Sequence, residues 1–379
     1  MKKTLFVTND FGPRSGGIES FVMGLIERLP RGSVTVYTSS QGDTGLYDAQ
    51  WRSEYGVEVI RDRSAMLLPT PRLARSISKI VQQGHFAVAC FGAAAPLGLL
   101  ASSLRRAGIS RIVSLTHGHE VWWAKVFPFS WAIHHIGNRV DVLTYLGDFT
   151  RQNIARALSS RAQAAMVRIA PGIDISHFSP DPAPSALRTE LGLKEKTVIV
   201  SVGRLVPRKG QDRLIEALPL VRKRIPNAHL LFVGEGRYRK KLERLVRVEG
   251  LQEHVTFIGR VSYSQLPSYF RCGDLFAMPS RSRMAGLEVE GLGIVYLEAS
   301  GCGLPVIAGN SGGAPDAVVD GVTGIVVDGT NVNEVAAAIV RVLSDPRKTK
   351  AMGSTGREWV ASGWSWEIWA GKFAQLLGV

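Results

Sequence analysis

Two carboxylates, Glu290 and Glu298, stand in VEGLGIVYLEASGCGLPV (289–306), an otherwise apolar stretch broken by glycines. An unpaired carboxylate is costly in a core, so a plain buried helix would exclude both. A carboxylate accepts hydrogen bonds from paired hydroxyls such as sugars present. Upstream, SVGRLVPRKG (201–210) sets Arg204 and Lys209 just past a strand end. Guanidinium offers a planar fork and ammonium a point charge, and both neutralise a diphosphate. Gly291 and Gly293 leave the N–H groups of Gly293, Ile294 and Val295 accessible at a helix start, where an anion is favoured. The pattern predicts a helix from about Leu292, with Glu290 just before it and Glu298 within it at an exposed position. A nucleoside diphosphate sugar fits that order: ribose at Glu298, diphosphate at the helix start, hexose at Glu290. Pairing of Glu298 with a structural arginine is the plainer alternative.

Near the start, DFGPRSGGIES puts Gly16 and Gly17 before an amphipathic helix. They suit either a tight strand-to-helix turn or backbone approach to an anion. Neither GxxxxGK[ST] nor GxGxxG is present. No DxD motif is present either, so no metal and no other cofactor is expected, and Arg204 and Lys209 carry the diphosphate's charge.

The elements that must position these residues alternate along the chain. KTLFVTND, SVTVYT, FAVACFG, RIVSLTHG and DVLTYLG read as strands separated by helices, and the pattern restarts at KTVIVSVGRL. Near-continuous apolar strands alternating with helices predict α/β architecture with parallel sheets covered on both faces. The expected division is a doubly wound Rossmann-like domain over 1–172 and a linker over 173–195. A second such domain over 196–360 follows, then a C-terminal helix over 361–379 packing back on the first. Ligands of such sheets gather at the carboxyl ends of strands, and the cleft between two domains is the default site.

With 379 residues, 45% of them hydrophobic, core material is ample. Three scattered cysteines without CxxC spacing read as reduced and cytoplasmic. The uncharged stretch from Phe86 to Leu104 is interrupted by Gly92, Pro96 and Gly98, and reads as a strand running into a helix rather than a membrane span. The net charge of +14 is spread evenly over both halves, which suits nucleotide phosphates or anionic lipid and disfavours a nucleic-acid arm. EVWWAKVFPFSWAIHH (120–135) sets tryptophans and phenylalanines beside Lys125, and Arg72, Arg75 and Lys79 lie on or near one helix face. Core packing explains some of these aromatics; contact with an acidic membrane surface is the other reading.

Taken together, Glu290-x7-Glu298, Arg204-x4-Lys209-Gly210 and the Gly16-Gly17 loop resemble the retaining GT-B glycosyltransferases of family 4, over essentially the whole chain. THGHEVWW and the stretch around MAGLEVEGLG are similar to the GDP-mannose-dependent phosphatidylinositol mannosyltransferases, best to those adding the second, α-1,6-linked mannose. The resemblance implies a GT-B fold and a GDP-mannose donor. It also implies an anionic phosphatidylinositol-based acceptor and peripheral association with the cytoplasmic face of the plasma membrane. Arg204 and Lys209 would hold the diphosphate, Glu290 the mannose, Glu298 the ribose, and the backbone at Arg260 and Val261 the guanine. His117 matches the family's histidine facing the sugar, with His119 as a neighbouring competitor. Leu292 and Asp316 depart from the usual Phe and Glu without removing a ligand-binding group. A UDP-sugar donor, another glycolipid acceptor, or a GT-B sugar-nucleotide epimerase remain alternatives.

Overall fold

Segments such as VIVSV and HLLFV are apolar at all but one position, Ser201 and His229 respectively, and each is buried on both faces of a parallel sheet. The computed structural model of the chain describes residues 3–14, 16–180 and 186–379. It forms two units, Met1–Gly172 with Trp366–Val379, and Ile173–Ser365. Part of the expected linker, 181–185, lies outside the described residues, as does Ser15 of the first glycine loop.

The first unit is built on β1 (Thr4–Thr8), β2 (Val34–Thr38), β3 (Glu58–Arg61), β4 (Val88–Phe91), β5 (Arg111–Ser114), β6 (Val142–Tyr145) and β7 (Met166–Arg168). Their spatial order is β3-β2-β1-β4-β5-β6-β7, and all pair in parallel. The second unit holds β8 (Thr197–Val202), β9 (Ala228–Val233), β10 (Val255–Gly259), β11 (Leu275–Met278), β12 (Val306–Gly309) and β13 (Gly324–Val327). They are ordered β10-β9-β8-β11-β12-β13, again in parallel. Both orders are doubly wound, so each sheet has a switch point, between β1 and β4 and between β8 and β11. The stretch from Phe86 to Leu104 is β4, a 3-10 turn at Leu97–Leu100 and the start of a helix, Ala101–Arg106.

The C-terminal helical stretch is two helices, Pro346–Gly363 and Trp366–Leu377, and only the second belongs to the first unit. It buries Trp366, Trp369, Phe373 and Leu377. Phe373 packs edge-on against Phe6 of β1, and the Arg111 guanidinium donates to the Leu376 carbonyl at 2.6 Å. Among the described residues, no helix is long and apolar enough to cross a membrane.

Candidate active site

In the second unit the chain leaves β8 through Gly203 and makes a 3-10 turn, Pro207–Lys209, before the helix Gln211–Arg222. Gly210 joins turn to helix with φ +76, and a Cβ there would stand 2.0 Å from the Pro279 carbonyl oxygen. The turn thus fits only against the end of β11, which brings its cations to the switch point.

There Lys209 Nζ lies 2.8 Å from Glu290 Oε2, and Arg208 pairs with the same oxygen. Lys209 and Glu290 are each only 7% exposed. Burial pushes the Lys209 ammonium below its ordinary value, against the pull of Glu290. Burial would raise the Glu290 carboxyl, yet Lys209 and Arg208 outweigh it and hold the group below the usual carboxylate range. The ion-paired state is the one this geometry supports. Two cations against one carboxylate leave the cluster net positive.

Glu290 is not on the following helix. That helix is Ile294–Gly301, entered through Gly293 at φ +80, two residues later than the predicted start. The Gly312-Gly313 turn fixes the approach. Cβ atoms at these positions would meet the Glu290 and Gly291 carbonyl oxygens at 2.1 and 2.2 Å, and the Gly313 N–H donates to the Glu290 carbonyl. N–H groups of the helix's first turn lack intrahelical acceptors and, with the helix dipole, favour an anion.

Glu298 corrects the sequence reading. It is 6% exposed rather than open, because Tyr296, Leu297, Ala299 and Ser300 around it are buried as well. Its carboxylate has no hydrogen-bond or ion-pair partner among the described residues, so no structural arginine claims it. Burial pushes its carboxyl up to about 7, and Lys209 opposes that rise.

Of the remaining expected residues, Arg204 is exposed on the loop after β8. Arg260 and Val261 follow β10, two strands from β8. Arg208 was missed by the sequence reading, although its neighbours in VPRKG were noticed. Behind the cluster, Arg281 binds Asp212 at 2.7 Å, and its N–H donates to the Arg208 carbonyl at 2.8 Å, which anchors the turn. No group of three or more His, Cys, Asp or Glu among the described residues is arranged to hold a metal ion.

The first unit carries a different group of residues beyond β1 and β5. His117 is 3% exposed, and its Nε2 lies 2.7 Å from the Gly92 carbonyl oxygen. A carbonyl only accepts, so Nε2 carries the proton and Nδ1 keeps its lone pair while the ring is neutral. Burial keeps it neutral by lowering its pKa. The His117 N–H donates to Glu120 Oε2 at 2.7 Å, and His119 Nε2 stands 3.2 Å from Glu120 Oε1. His119 is therefore a half-buried histidine beside a buried acid rather than a free surface histidine. Phe21, from the helix Gly17–Ile26, packs edge-on to His117. Gly16 caps that helix in an extended conformation open to any residue, and a Cβ there would meet only the carboxylate end of the Glu19 side chain, at 2.3 Å. Asp10, after β1, has its carboxyl raised chiefly by burial, with His117, Glu19 and His119 acting on it.

One expected cation is already engaged. Arg72 forks onto Asp62 at 2.8 and 3.1 Å and holds that buried carboxyl well below its usual range.

Comparison with known proteins places this geometry. The family model Glycosyltransferase Family 4 matches residues 15–177, and Glycosyl transferases group 1 matches 185–359. The chain is 44% identical to the GDP-mannose-dependent alpha-(1-6)-phosphatidylinositol monomannoside mannosyltransferase of Mycolicibacterium smegmatis, over 98% of this chain and 97% of that protein. It is 43% identical to the Mycobacterium tuberculosis H37Rv protein of the same name, over 100% and 98%. A Corynebacterium glutamicum relative, named for a monoacylated form of that acceptor, is 41% identical over 99% and 98%. Among solved structures, Anabaena HepE in complex with UDP superposes with a TM-score of 0.82 at 22% identity, covering 99% of each chain. That likeness supports the fold alone, and it is the expected GT-B pairing of two doubly wound units. With family models over both units and relatives matched along their full length, the chain belongs to the family 4 glycosyltransferases.

Proposed function

We propose that this enzyme transfers mannose from GDP-mannose, with retention, to a phosphatidylinositol monomannoside, forming the second, α-1,6-linked mannoside. The observation that carries this reading is the full-length likeness, at 41–44% identity, to relatives so named. In support, the second unit offers a net positive cluster beside a helix N-terminus and two carboxylates suited to hydroxyls. As the glycosidic bond breaks, negative charge grows on the leaving diphosphate, and Arg204, Lys209 and the helix start stabilise it. These cations do the work without a metal. Arg208 holds Glu290 in place, and Glu290 receives the mannose hydroxyls. A carboxylate already shared by two cations is a weak nucleophile, which favours attack by the acceptor on the face the diphosphate leaves. Glu298 takes the ribose, the backbone at Arg260 and Val261 the guanine, and Gly16 and Gly17 lie against the acceptor. His117 meets the sugar through its free Nδ1.

The acceptor is reached by peripheral contact with an acidic membrane at the cytoplasmic face. Phe127 and Trp131 are exposed large aromatics in the first unit, and Arg75 and Lys79 are exposed cations on the Pro71–Gly84 helix. Arg72 is left out of this face because Asp62 holds it. The deciding experiment incubates the protein with GDP-mannose, UDP-glucose or ADP-glucose and purified phosphatidylinositol monomannoside. Mass and linkage analysis should show one added α-1,6 mannose with GDP-mannose alone. Transfer from UDP-glucose, or no lipid product, defeats the reading.

A further inference from the structure

A polar cavity of about 330 Å³ lies in the first unit, lined wholly by the helix Pro71–Gly84 and by the Ala101–Arg106 helix with its C-cap. Its charged wall is Arg75, Lys79 and Arg106; Ser78, Gln82 and Ser103 are its neutral hydrogen-bonding groups, and two alanines complete it.

The surrounding sequence is unusual in its charge. Between Asp62 and Glu120 there is no acidic residue. A helix face that only meets solvent gains from mixed signs, and like charges four residues apart repel; Arg75 and Lys79 have that spacing. Several cations of this stretch are engaged. Arg72 is held by Asp62, Arg105 by Asp141, and Arg111 by the Leu376 carbonyl. Arg63, Arg75, Lys79 and Arg106 have no carboxylate partner among the described residues, and the last three converge on the cavity. Arg75 donates to the Pro71 carbonyl and Arg106 to Ser103 Oγ, which orients each guanidinium while leaving most of its N–H groups unused.

We propose that this cavity is a binding site for a phosphomonoester, the neutral groups meeting hydroxyls beside the phosphate. A phosphomonoester carries about −1.5 to −2 near neutral pH, which matches three converging cations better than the single charge of a phosphodiester. The group can come from a lipid head group or from a soluble phosphate. The site shares Arg75 and Lys79 with the membrane contact proposed above, and rests on that reading only for its lipid source.

The test titrates the full-length protein, saturated with GDP so that the donor site is filled. Inorganic phosphate, followed by calorimetry or by NMR, should bind saturably. Arg106→Gln and Lys79→Gln should each weaken that binding about tenfold, as loss of one charge-assisted contact does. Arg106→Lys should retain most of it, and Arg237→Gln with Arg244→Gln, exposed cations of the other unit, should change nothing. In a second arm, phosphatidylcholine vesicles carry phosphatidic acid or, at equal surface charge, phosphatidylserine. A preference for phosphatidic acid that Arg106→Gln abolishes identifies the lipid as source; phosphate binding without that preference identifies a soluble one. If Arg106→Gln and Lys79→Gln alter neither arm, the site is overturned. Vesicle binding that still follows surface charge would leave the membrane contact standing.

Discussion

The two strand-end clusters solve opposite electrostatic problems. In the second unit, Lys209, Arg208 and Glu290 are packed as ions in mutual contact. In the first, His117 is kept neutral by burial, and Asp10 has its carboxyl raised. Fixed charge suits a step in which a leaving group gains charge, because the compensating dipoles need no rearrangement. Neutral, buried titratable groups suit hydroxyls and proton movement instead. One cluster is thus set to hold charge and the other to keep its histidine neutral, although both stand past the strand ends of parallel sheets.

Removing one of the two cations proposed to meet the diphosphate should have the largest effect. Lys209→Ala or Arg204→Ala is expected to lower kcat by roughly 10²–10³, with a much smaller change in GDP affinity, since the leaving-group charge is greatest in the transition state. Single-turnover rates beside calorimetric titrations check this; equal losses in both would mean that these cations bind the donor uniformly.

Next comes Glu298, the one carboxylate of the second unit's site without a partner. Glu298→Ala should weaken GDP binding by roughly 1.5–3 kcal/mol. The ribose hydroxyls need the ionised form, so wild-type affinity should fall as pH drops below about 7. The stability sign is the reverse. A folded pKa raised above the unfolded value means the folded chain holds the extra proton, so stability is greatest below about 4.5 and is lost as pH rises towards 7. Glu298→Gln should flatten that dependence in melts between pH 5 and 8.

His117 sharpens the contrast with the opposite sign. Its lowered pKa adds stability above the ordinary histidine value of 6.5, and this is lost as pH falls below it. His117→Gln should remove that acid-side loss and depress turnover, with GDP affinity unchanged. A melt series over pH 4.5–7.5, run beside the assay, reads both.

At the proposed membrane face, Arg75→Gln with Lys79→Gln should reduce binding to acidic vesicles and spare the melting temperature, each cation contributing roughly 1 kcal/mol to adsorption. Arg72→Gln should do the reverse, lowering the melting temperature by stranding Asp62. The smallest expected effect is none at all: activity should persist in a metal chelator, and a loss that Mg²⁺ or Mn²⁺ restores would reassign the diphosphate's counter-charge.

Much of the fold was legible because parallel strands buried on both faces write themselves as apolar runs. Lys209 and Glu290 were legible for a related reason, since a charged residue in a glycine-rich loop between a strand and a helix has no place in either element's apolar pattern. Arg208 was not. Adjacent residues ordinarily point apart, and only the tight turn before Gly210 turns both cations onto one oxygen. Nor was the burial of Glu298, because Ile294–Gly301 is apolar around most of its girth and its pattern names no outer face. Arg72 looked like its neighbours on the helix, and its pairing with Asp62 depends on how the loop after β3 folds back.

The return of Trp366–Leu377 to the first unit sets an order of events during synthesis. Domains ordinarily mature in the order in which they leave the ribosome. Here the sheet begun at Thr4 lacks the helix that covers Phe6 until the whole of Ile173–Ser365 has been made. The second unit can therefore close first, while the earlier-made unit waits with an apolar face uncovered. A nascent chain stalled before Trp366 would carry a mature second unit beside an unfinished partner, and chaperones that recognise exposed apolar surface would find it on the older half.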